Sequence, residues 1–495
     1  PRRPASYSFL GPFGPGRHKS VTKPRLKKTV LIAVALVVLG AGTAAAVLAR
    51  SGRDVTTTSV EAYEFYRKGL EDERRMYHKD ALASYAKALE LDPHFTMATL
   101  RLAGNMASRD RDRARSLVQC AARNPGSLNE REKLFLAVFE AELVGKDLEK
   151  SGELIREYVR RFPDDPEGYF RLAGVLMREG KTEEMLATYE RLLSLDPNQA
   201  TAYNSLGYHY VGRRDFVKGE DYFKRYRFLA PDQANPYDSL GELYANTGRY
   251  AEAEEHLKQA LQIRPDFVPA IGHLGTLEVG RGNAEAAAGH FRRAAEISES
   301  WKDKHMFVGA VVMALLDAGR PDDALASLDE ASATPPALSP REDFLFRYHV
   351  IRSRAVVLAL AGRATEAEEQ LALLPAVPAD LEAKEKEGLE RGLLGARAAL
   401  AGARGNPEEA VASLRAFLAE EKVRDAGDFP YYPSTFRLRV RLADALVTLA
   451  RPDEAREELR PVLAVNPRFA PALEVIARIE GIEGRAGGVK GSVGR

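Results

Sequence analysis

The sequence predicts an all-α protein: a solenoid of helical hairpins (a superhelix), preceded by one transmembrane helix and a disordered basic N-terminal segment. Three observations support this prediction. Prolines recur at a fixed interval, small and large apolar residues recur between them with helical spacing, and one uncharged apolar stretch near the N-terminus is long enough to cross a bilayer.

The proline spacing gives the length of the repeat. Pro163, Pro197, Pro231 and Pro265 follow one another at intervals of 34 residues, and Pro93 precedes Pro163 by 70, about two intervals. Each proline follows an apolar, helix-like stretch and ends it, because proline lacks an amide donor and clashes with the preceding turn. A fixed period of this length indicates a repeat array.

Within each interval the same residue types return. A glycine recurs in the first helix, and in the second helix an alanine is followed four positions later by a large apolar residue. A small residue lets two helix backbones approach, and the larger side chain fills the space beside it. The glycines are Gly69, Gly207, Gly241 and Gly275, and the pairs are Ala81/Tyr85, Ala253/Leu257, Ala287/Phe291, Ala324/Leu328, Ala367/Leu371, Ala410/Leu414 and Ala455/Leu459.

The period and its signature resemble the tetratricopeptide repeat (TPR) family. Residues 62–93, 166–197 and 200–231 match well, and residues 236–265 match best. The resemblance implies about eleven repeats within a solenoid at 61–482, with a closing helix at 470–482 and a disordered tail at 483–495. The best unit carries the signature residues Tyr237, Leu240, Gly241, Tyr244, Ala253, Leu257, Ala260 and Pro265.

Two stretches depart from the pattern, and the repeat register stays open there. In residues 96–129, Arg115 stands where a small residue is expected. In residues 340–430 the spacing lengthens. Longer connections are predicted by Pro335, Pro336, Pro375 and Pro378.

The N-terminal region predicts a membrane anchor. Residues 1–28 are rich in proline, glycine and basic side chains, which is typical of a flexible basic segment. Residues 30–48 form an uncharged apolar stretch that spans roughly 28 Å as a helix, close to the thickness of the hydrocarbon core. We therefore predict a transmembrane helix at 29–49 and a linker at 50–60.

A cleaved signal peptide is the alternative interpretation of the apolar stretch. Ala44, Ala45 and Ala46 could supply a cleavage site. The basic segment that precedes the stretch is long for a signal sequence, which favours an uncleaved anchor.

The flanking charges predict the orientation of the anchor. Basic residues are concentrated before the span, so the positive-inside rule places the N-terminus in the cytoplasm and the repeats outside it, in the periplasm or the extracellular space. The preceding residues are Arg17, Lys19, Lys23, Arg25, Lys27 and Lys28, whereas only Arg50 and Arg53 closely follow the span.

Composition and motifs argue against several functions. With 72 basic and 71 acidic residues the net charge is +1, so nucleic acid is not an expected partner. The single Cys120 cannot form an internal disulfide, and we expect a buried, inert thiol. The loop at 174–182 resembles a phosphate-binding loop but has one residue too many, so we expect a turn. We predict no enzymatic activity, no cofactor and no metal.

The concave face of a solenoid is its usual binding surface. The TPR resemblance implies that the second, fifth, ninth and twelfth signature positions of each first helix face inward. Their mixture of aromatic, amide and acidic groups predicts binding of an extended peptide or a partner helix. These residues are Phe170, Met177, Asn204, Tyr208, Asp238, Glu242, His273 and Thr276.

Some family members clamp the C-terminal carboxylate of a peptide with Lys, Asn and Arg at set inward positions. This chain has Phe170, Gly174 and Ser205 at three such positions, so that mode of binding is not expected.

Two functions follow as hypotheses. The first is a membrane-anchored TPR scaffold for protein–protein interaction. The second rests on residues 55–73 and 128–143, which resemble arrays attached to bacterial sensory proteins. In these proteins a cytoplasmic Ser/Thr kinase or other domain precedes one membrane span and the repeats. The chain would then be the C-terminal sensor portion of a kinase whose catalytic domain lies upstream of residue 1.

Overall fold

The computed structural model describes residues 55–107, 110–333, 338–424 and 432–492. Within these ranges the chain contains 23 α-helices and no β-strand, which confirms the predicted all-α solenoid. In chain order the helices pair into eleven hairpins, and a last helix closes the array. Hairpin 1 is α1–α2, hairpin 2 is α3–α4, and so on to hairpin 11, which is α21–α22.

The helices have the following bounds: α1 Val60–Arg74, α2 His78–Leu91, α3 Thr96–Met106, α4 Arg111–Arg123, α5 Glu130–Phe139, α6 Leu148–Arg161, α7 Pro166–Arg178, α8 Thr182–Leu195, α9 Ala200–Gly212, α10 Phe216–Leu229, α11 Ala234–Asn246, α12 Tyr250–Ile263, α13 Val268–Arg281, α14 Ala284–Ile297, α15 Trp301–Asp317, α16 Pro321–Ala333, α17 Pro340–Leu360, α18 Ala364–Ala372, α19 Ala383–Ala403, α20 Pro407–Arg424, α21 Tyr432–Thr448, α22 Pro452–Val465 and α23 Ala470–Ser492. A π-helical turn, Glu140–Gly145, extends α5.

The small residues bring the two helices of a hairpin together as the pattern predicts. A Cβ added to Gly69 would lie 2.5 Å from the ring of Tyr85, and one added to Gly241 would lie 2.6 Å from Leu257. These glycines leave room for the large residue of the second helix. The alanines of the second helices are at most 4% exposed, namely Ala81, Ala253, Ala287, Ala324, Ala367, Ala410 and Ala455.

The turns inside the hairpins explain the loop at 174–182. Helix α7 ends at Arg178, Gly180 has φ 71°, and α8 begins at Thr182. A positive φ favours glycine because it has no Cβ. The stretch therefore connects two antiparallel helices, as predicted, and no strand precedes it in the described part of the chain.

The two stretches of open register differ from the repeat for separate reasons. In α4 the buried small residue is Ala114, one position before the expected one, and Arg115 donates from Nε to the carbonyl of Leu143 at 3.1 Å. In the later stretch, α17 and α19 each have 21 residues, so much of the extra length lies in helices and not only in the connections.

The expectation for Cys120 is wrong. Cys120 is exposed rather than buried, because it lies on the outer face of α4, opposite the buried Ala114 and Val118. The closing helix α23 continues to Ser492, through most of the stretch expected to be disordered.

The predicted anchor lies outside the described residues, as do residues 50–54 of the linker. Across the described ranges, no helix combines the length and apolar character that a membrane span requires. The end of the linker, residues 55–59, is hydrogen-bonded to the helical array. Thr56 Oγ1 donates to Glu132 of α5 at 2.6 Å, and Thr57 Oγ1 donates to Asp92 at 2.6 Å.

The turn of hairpin 1 folds back onto the middle of the array. The ring of Tyr77 packs edge-on against Phe267, with 6.3 Å between centroids, and the guanidinium of Arg264 lies 4.2 Å from the Tyr77 ring. Lys79 Nζ lies 2.8 Å from a carboxylate oxygen of Glu299. The first hairpin therefore rests against the connections that flank hairpin 7.

The C-terminal part reaches the same region from its other side. Tyr250 Oη donates to Asn466 Oδ1 at 3.2 Å, and the Asn466 amide donates to the carbonyl of Ala245 at 3.3 Å. Tyr250 and Ala245 belong to hairpin 6, the middle hairpin of the eleven. The superhelix thus closes on itself, and its concave face encloses a cavity.

Candidate protein-binding cavity

The enclosed cavity has a volume of about 1610 Å³. The first helices of hairpins 6 to 11, which are α11, α13, α15, α17, α19 and α21, provide most of its wall. Residues 76–79 of hairpin 1, Asn105 of α3, the connections that flank hairpin 7, and residues of second helices such as Phe291 and Phe417 complete it. The inward faces of six successive repeats therefore surround one space, as expected for the concave side of a solenoid.

A hydrogen-bonded acidic network forms one wall. His273 Nδ1 lies 2.8 Å from Asp238 Oδ1, and its Nε2 lies 3.7 Å from Glu242 Oε1. Tyr208 Oη donates to the other oxygen of Glu242 at 2.9 Å. Asp238 is 2% exposed and does not line the cavity, whereas Glu242 and His273 do.

The network continues into hairpin 5. Tyr208 Oη lies 3.3 Å from Ser239 Oγ, and Ser239 donates to Asn204 Oδ1 at 3.1 Å. Polar groups at corresponding positions of three consecutive first helices, α9, α11 and α13, are therefore linked. The 34-residue period places them one repeat apart.

The surroundings of this network decide its charge. Burial alone would lower the pKa of His273, but the carboxylates of Asp238 and Glu242 outweigh burial and raise the pKa to about 9. Burial raises the pKa of Glu242 and, together with the nearby carboxylates, that of Tyr208. At neutral pH the imidazole is therefore protonated, and its charge is compensated within the network.

The network is not arranged as a metal site. Asp238 and Glu242 contact opposite nitrogens of the His273 ring, so the three groups do not converge on one point. Nowhere in the described ranges do three or more His, Cys, Asp or Glu side chains cluster as metal ligands would.

The predicted inward residues separate into three groups. Glu242, His273 and Thr276 line the cavity, and Asn204, Tyr208 and Asp238 support them through the network. Phe170 is half-buried in the apolar cluster of α7, α8 and α9. Met177 is 45% exposed. Neither Phe170 nor Met177 lines the cavity, because α7 precedes the repeats that enclose it.

Sequence reasoning missed a group of three arginines that also lines the cavity and is positively charged, in contrast to the acidic network. Arg352 of α17 and Arg437 and Arg441 of α21 line the cavity, and we call these three residues the basic wall. The spacing of four between Arg437 and Arg441 places them on one helix face. That signal was visible in the sequence, but the spacing alone does not show that this face of α21 points into the cavity, and Arg352 lies in the stretch of open register at 340–430.

Comparison with protein families agrees with this architecture. Tetratricopeptide repeat models match residues 166–199 and 234–267. Both segments are therefore similar to tetratricopeptide repeats, as the sequence pattern predicts. The two matched segments are hairpin 4 and hairpin 6, and hairpin 6 carries Asp238 and Glu242. No curated protein matches this TPR chain at a significant level.

Several solved structures are similar to the TPR array at low identity. PilW, a widely conserved type IV pilus biogenesis factor, is 18% identical over 44% of this chain and 99% of its own, with a TM-score of 0.35. A tetratricopeptide repeat protein from Parabacteroides merdae is 18% identical over 54% and 98%, with a TM-score of 0.38. The APC/C hetero-tetramer Cut9–Hcn1 matches at 16% identity over 84% and 76%, with a TM-score of 0.40.

Proposed function

We propose that this TPR protein is a membrane-anchored scaffold that binds an extended segment of a partner protein in its central cavity, and that it acts by binding rather than by catalysis. The enclosed cavity is the observation that carries the proposal. Its volume of about 1610 Å³ exceeds the roughly 300–1,000 Å³ of small-molecule pockets and suits a length of polypeptide.

Site-specific photo-crosslinking tests the binding site. A benzophenone amino acid placed at Thr276 faces the cavity, and one placed at Val217, which is 74% exposed on α10, serves as the matched control. We expect a covalent adduct with a protein partner from position 276 and none from 217. Equal adducts from both positions would contradict binding in the cavity.

The proposed anchor is supported by the apolar stretch at 30–48 and by the fastened end of the linker. Because residues 55–59 are bound to α5 and to Asp92, only a few residues separate the array from the predicted span. A force on the anchor would reach hairpins 1 and 3 directly.

Protease protection on intact cells tests the anchor and its orientation together. For a full-length protein with a C-terminal tag, we expect external protease to remove the tag after the outer barrier is opened, while the N-terminal segment stays protected. A tag that is protected until the cells are lysed would contradict an extracytoplasmic array.

The second candidate is the sensor portion of a transmembrane Ser/Thr kinase. The basic segment, the apolar stretch and the repeats occur in the order expected downstream of a cytoplasmic kinase domain. The coding sequence upstream of Pro1 tests this candidate. A kinase domain with its catalytic motifs there would support it, and an upstream sequence without one would exclude it.

A further inference from the structure

The basic wall contains more positive charge than its surroundings compensate. Arg437 forms an ion pair with Asp317, and the same carboxylate is the one that attracts Arg441. The Nη2 atom of Arg441 lies 3.8 Å from the sulfur of Met313, and no ion pair of Arg441 is found among the described residues. Among the described residues, no carboxylate forms an ion pair with Arg352. Arg437 and Arg441 therefore share the carboxylate of Asp317, and Arg352 has no carboxylate at ion-pair distance in the described part of the chain.

The neighbouring histidines do not alter this balance. His305 and His349 lie beside Arg352, where burial and the guanidinium charge lower their pKa to about 4 and about 3. Both rings are therefore neutral at pH 7. The Arg352 guanidinium lies directly over Gly392 of α19, so closely that a Cβ at that position would overlap it. Because residue 392 is a glycine and has no side chain, the guanidinium has room at the cavity surface.

Burial makes the excess charge costly. It lowers the pKa of Arg352 and of Arg441, yet guanidinium groups remain protonated at any physiological pH. Removing a cation from water costs several kcal/mol unless an anion compensates it. Apolar neighbours along the same wall, including Val312, Leu345 and Val356, lower the local dielectric and strengthen any ion pair formed there.

The geometry points to a partner of matching charge. We infer that the basic wall binds the carboxylates of an acidic, extended segment of the partner protein. This inference rests on the proposed binding function and names the chemistry of the occupant. Guanidinium groups bind carboxylates through two parallel hydrogen bonds. The arginines line one cavity from two different helices, α17 and α21, so they can contact separate acidic side chains of one segment.

A defined peptide probe tests the inference with the full chain in detergent micelles. The probe is a fluorescein-labelled decapeptide of alternating Glu and Ala, compared with the Gln–Ala peptide of the same length by fluorescence anisotropy. We expect the Glu peptide to bind at least about tenfold more tightly than the Gln peptide, and its affinity to fall as salt is raised. Equal binding of the two peptides would overturn the inference.

Matched double variants assign the binding to the wall. Arg352→Gln with Arg441→Gln should weaken the Glu peptide at least about tenfold. Arg415→Gln with Arg478→Gln removes the same charge from exposed positions and should change the affinity less than about twofold. Circular dichroism melting curves show whether each variant is folded. A folded wall variant with unchanged affinity would overturn the inference.

Two further outcomes separate this inference from the function on which it rests. If inorganic phosphate binds with the same arginine dependence and the Glu peptide does not, the wall is a small-anion site and the acidic segment is excluded. If the partner adduct at position 276 persists in the wall variant, the scaffold function stands and only the acidic occupant is excluded, because Thr276 lies on α13, outside the basic wall.

Discussion

The acidic network and the basic wall border the same cavity but treat buried charge in opposite ways. In the network, His273 stands between two carboxylates, so the charges compensate one another within the fold. In the basic wall, Arg352 and Arg441 have no carboxylate of their own. The comparison suggests that the network stabilises the superhelix, whereas the wall has a charge that only a ligand can compensate.

The largest expected effect on the free energy of unfolding comes from removing one carboxylate of the acidic network. Asp238→Asn leaves a buried imidazole without its closest carboxylate, and removing one partner of a buried pair costs about 3 kcal/mol of unfolding free energy. Urea unfolding measures this change. Asp221→Asn on the exposed face of α10 is the control and should cost less than about 0.5 kcal/mol. Equal losses in the two variants would show that the network does not stabilise the fold.

The two regions should respond to pH in opposite directions. His273 has a folded pKa of about 9, above the unfolded value of about 6.5, so its stabilisation is complete below pH 6.5 and is lost as the pH rises towards 9. His349 has a folded pKa of about 3, so the unfolded chain binds the proton more readily, and stability is lost as the pH falls from 6.5 towards 3.

Urea unfolding as a function of pH measures both slopes, each at most about 1.4 kcal/mol per pH unit for one group. His273→Gln should flatten the alkaline side only, and His349→Gln should flatten the acidic side only. If either variant changed the slope on the other side, the two regions would be coupled rather than independent.

A smaller effect of the opposite sign is expected in the basic wall. Arg441→Met replaces a desolvated cation with an apolar side chain of similar length, so the protein without a partner should gain about 1 kcal/mol of unfolding free energy. Thermal unfolding of the wild type and the variant measures the gain. A loss of the same size would mean that the wall is already compensated within the fold.

The smallest effect gives the baseline for the comparison. Lys258 and Glu254 form an exposed ion pair at 2.6 Å on α12. Lys258→Gln should cost about 0.3 kcal/mol, because exposed pairs of this spacing contribute little. Differential scanning calorimetry of this variant sets the scale against which the changes at Asp238 and Arg441 are judged. A cost above about 1 kcal/mol would remove the contrast between buried and exposed charge.

The sequence predicted the features that repeat. Gly241 against Leu257, and Ala253 beside them, depend only on contacts within one hairpin, and the same contacts return every 34 residues. The expected small residue in α4 was displaced by one position, to Ala114, in an interval from Pro93 to Pro163 that is two residues longer than two 34-residue periods. Periodicity therefore identifies a helix more reliably than it identifies which of its residues is buried.

The site was predictable only in part, for a different physical reason. Glu242 and His273 were found because the repeat signature places them on the inward face. Arg352 and Arg441 belong to the same cavity because the superhelix closes, and closure depends on contacts such as Tyr77 with Phe267. Such contacts join residues far apart in the chain, and no local period encodes them.

The closure of the superhelix on hairpin 6 has a consequence for how the chain folds. Arrays whose repeats touch only their neighbours can lose terminal repeats one at a time. Here Tyr250 bonds to Asn466 across 216 positions, and Arg264 bonds to Asp80 across 184. Contacts of such high sequence separation slow folding and couple the ends to the centre. This array should therefore unfold as one cooperative unit, and it cannot be shortened by whole repeats from either end without destabilising its middle.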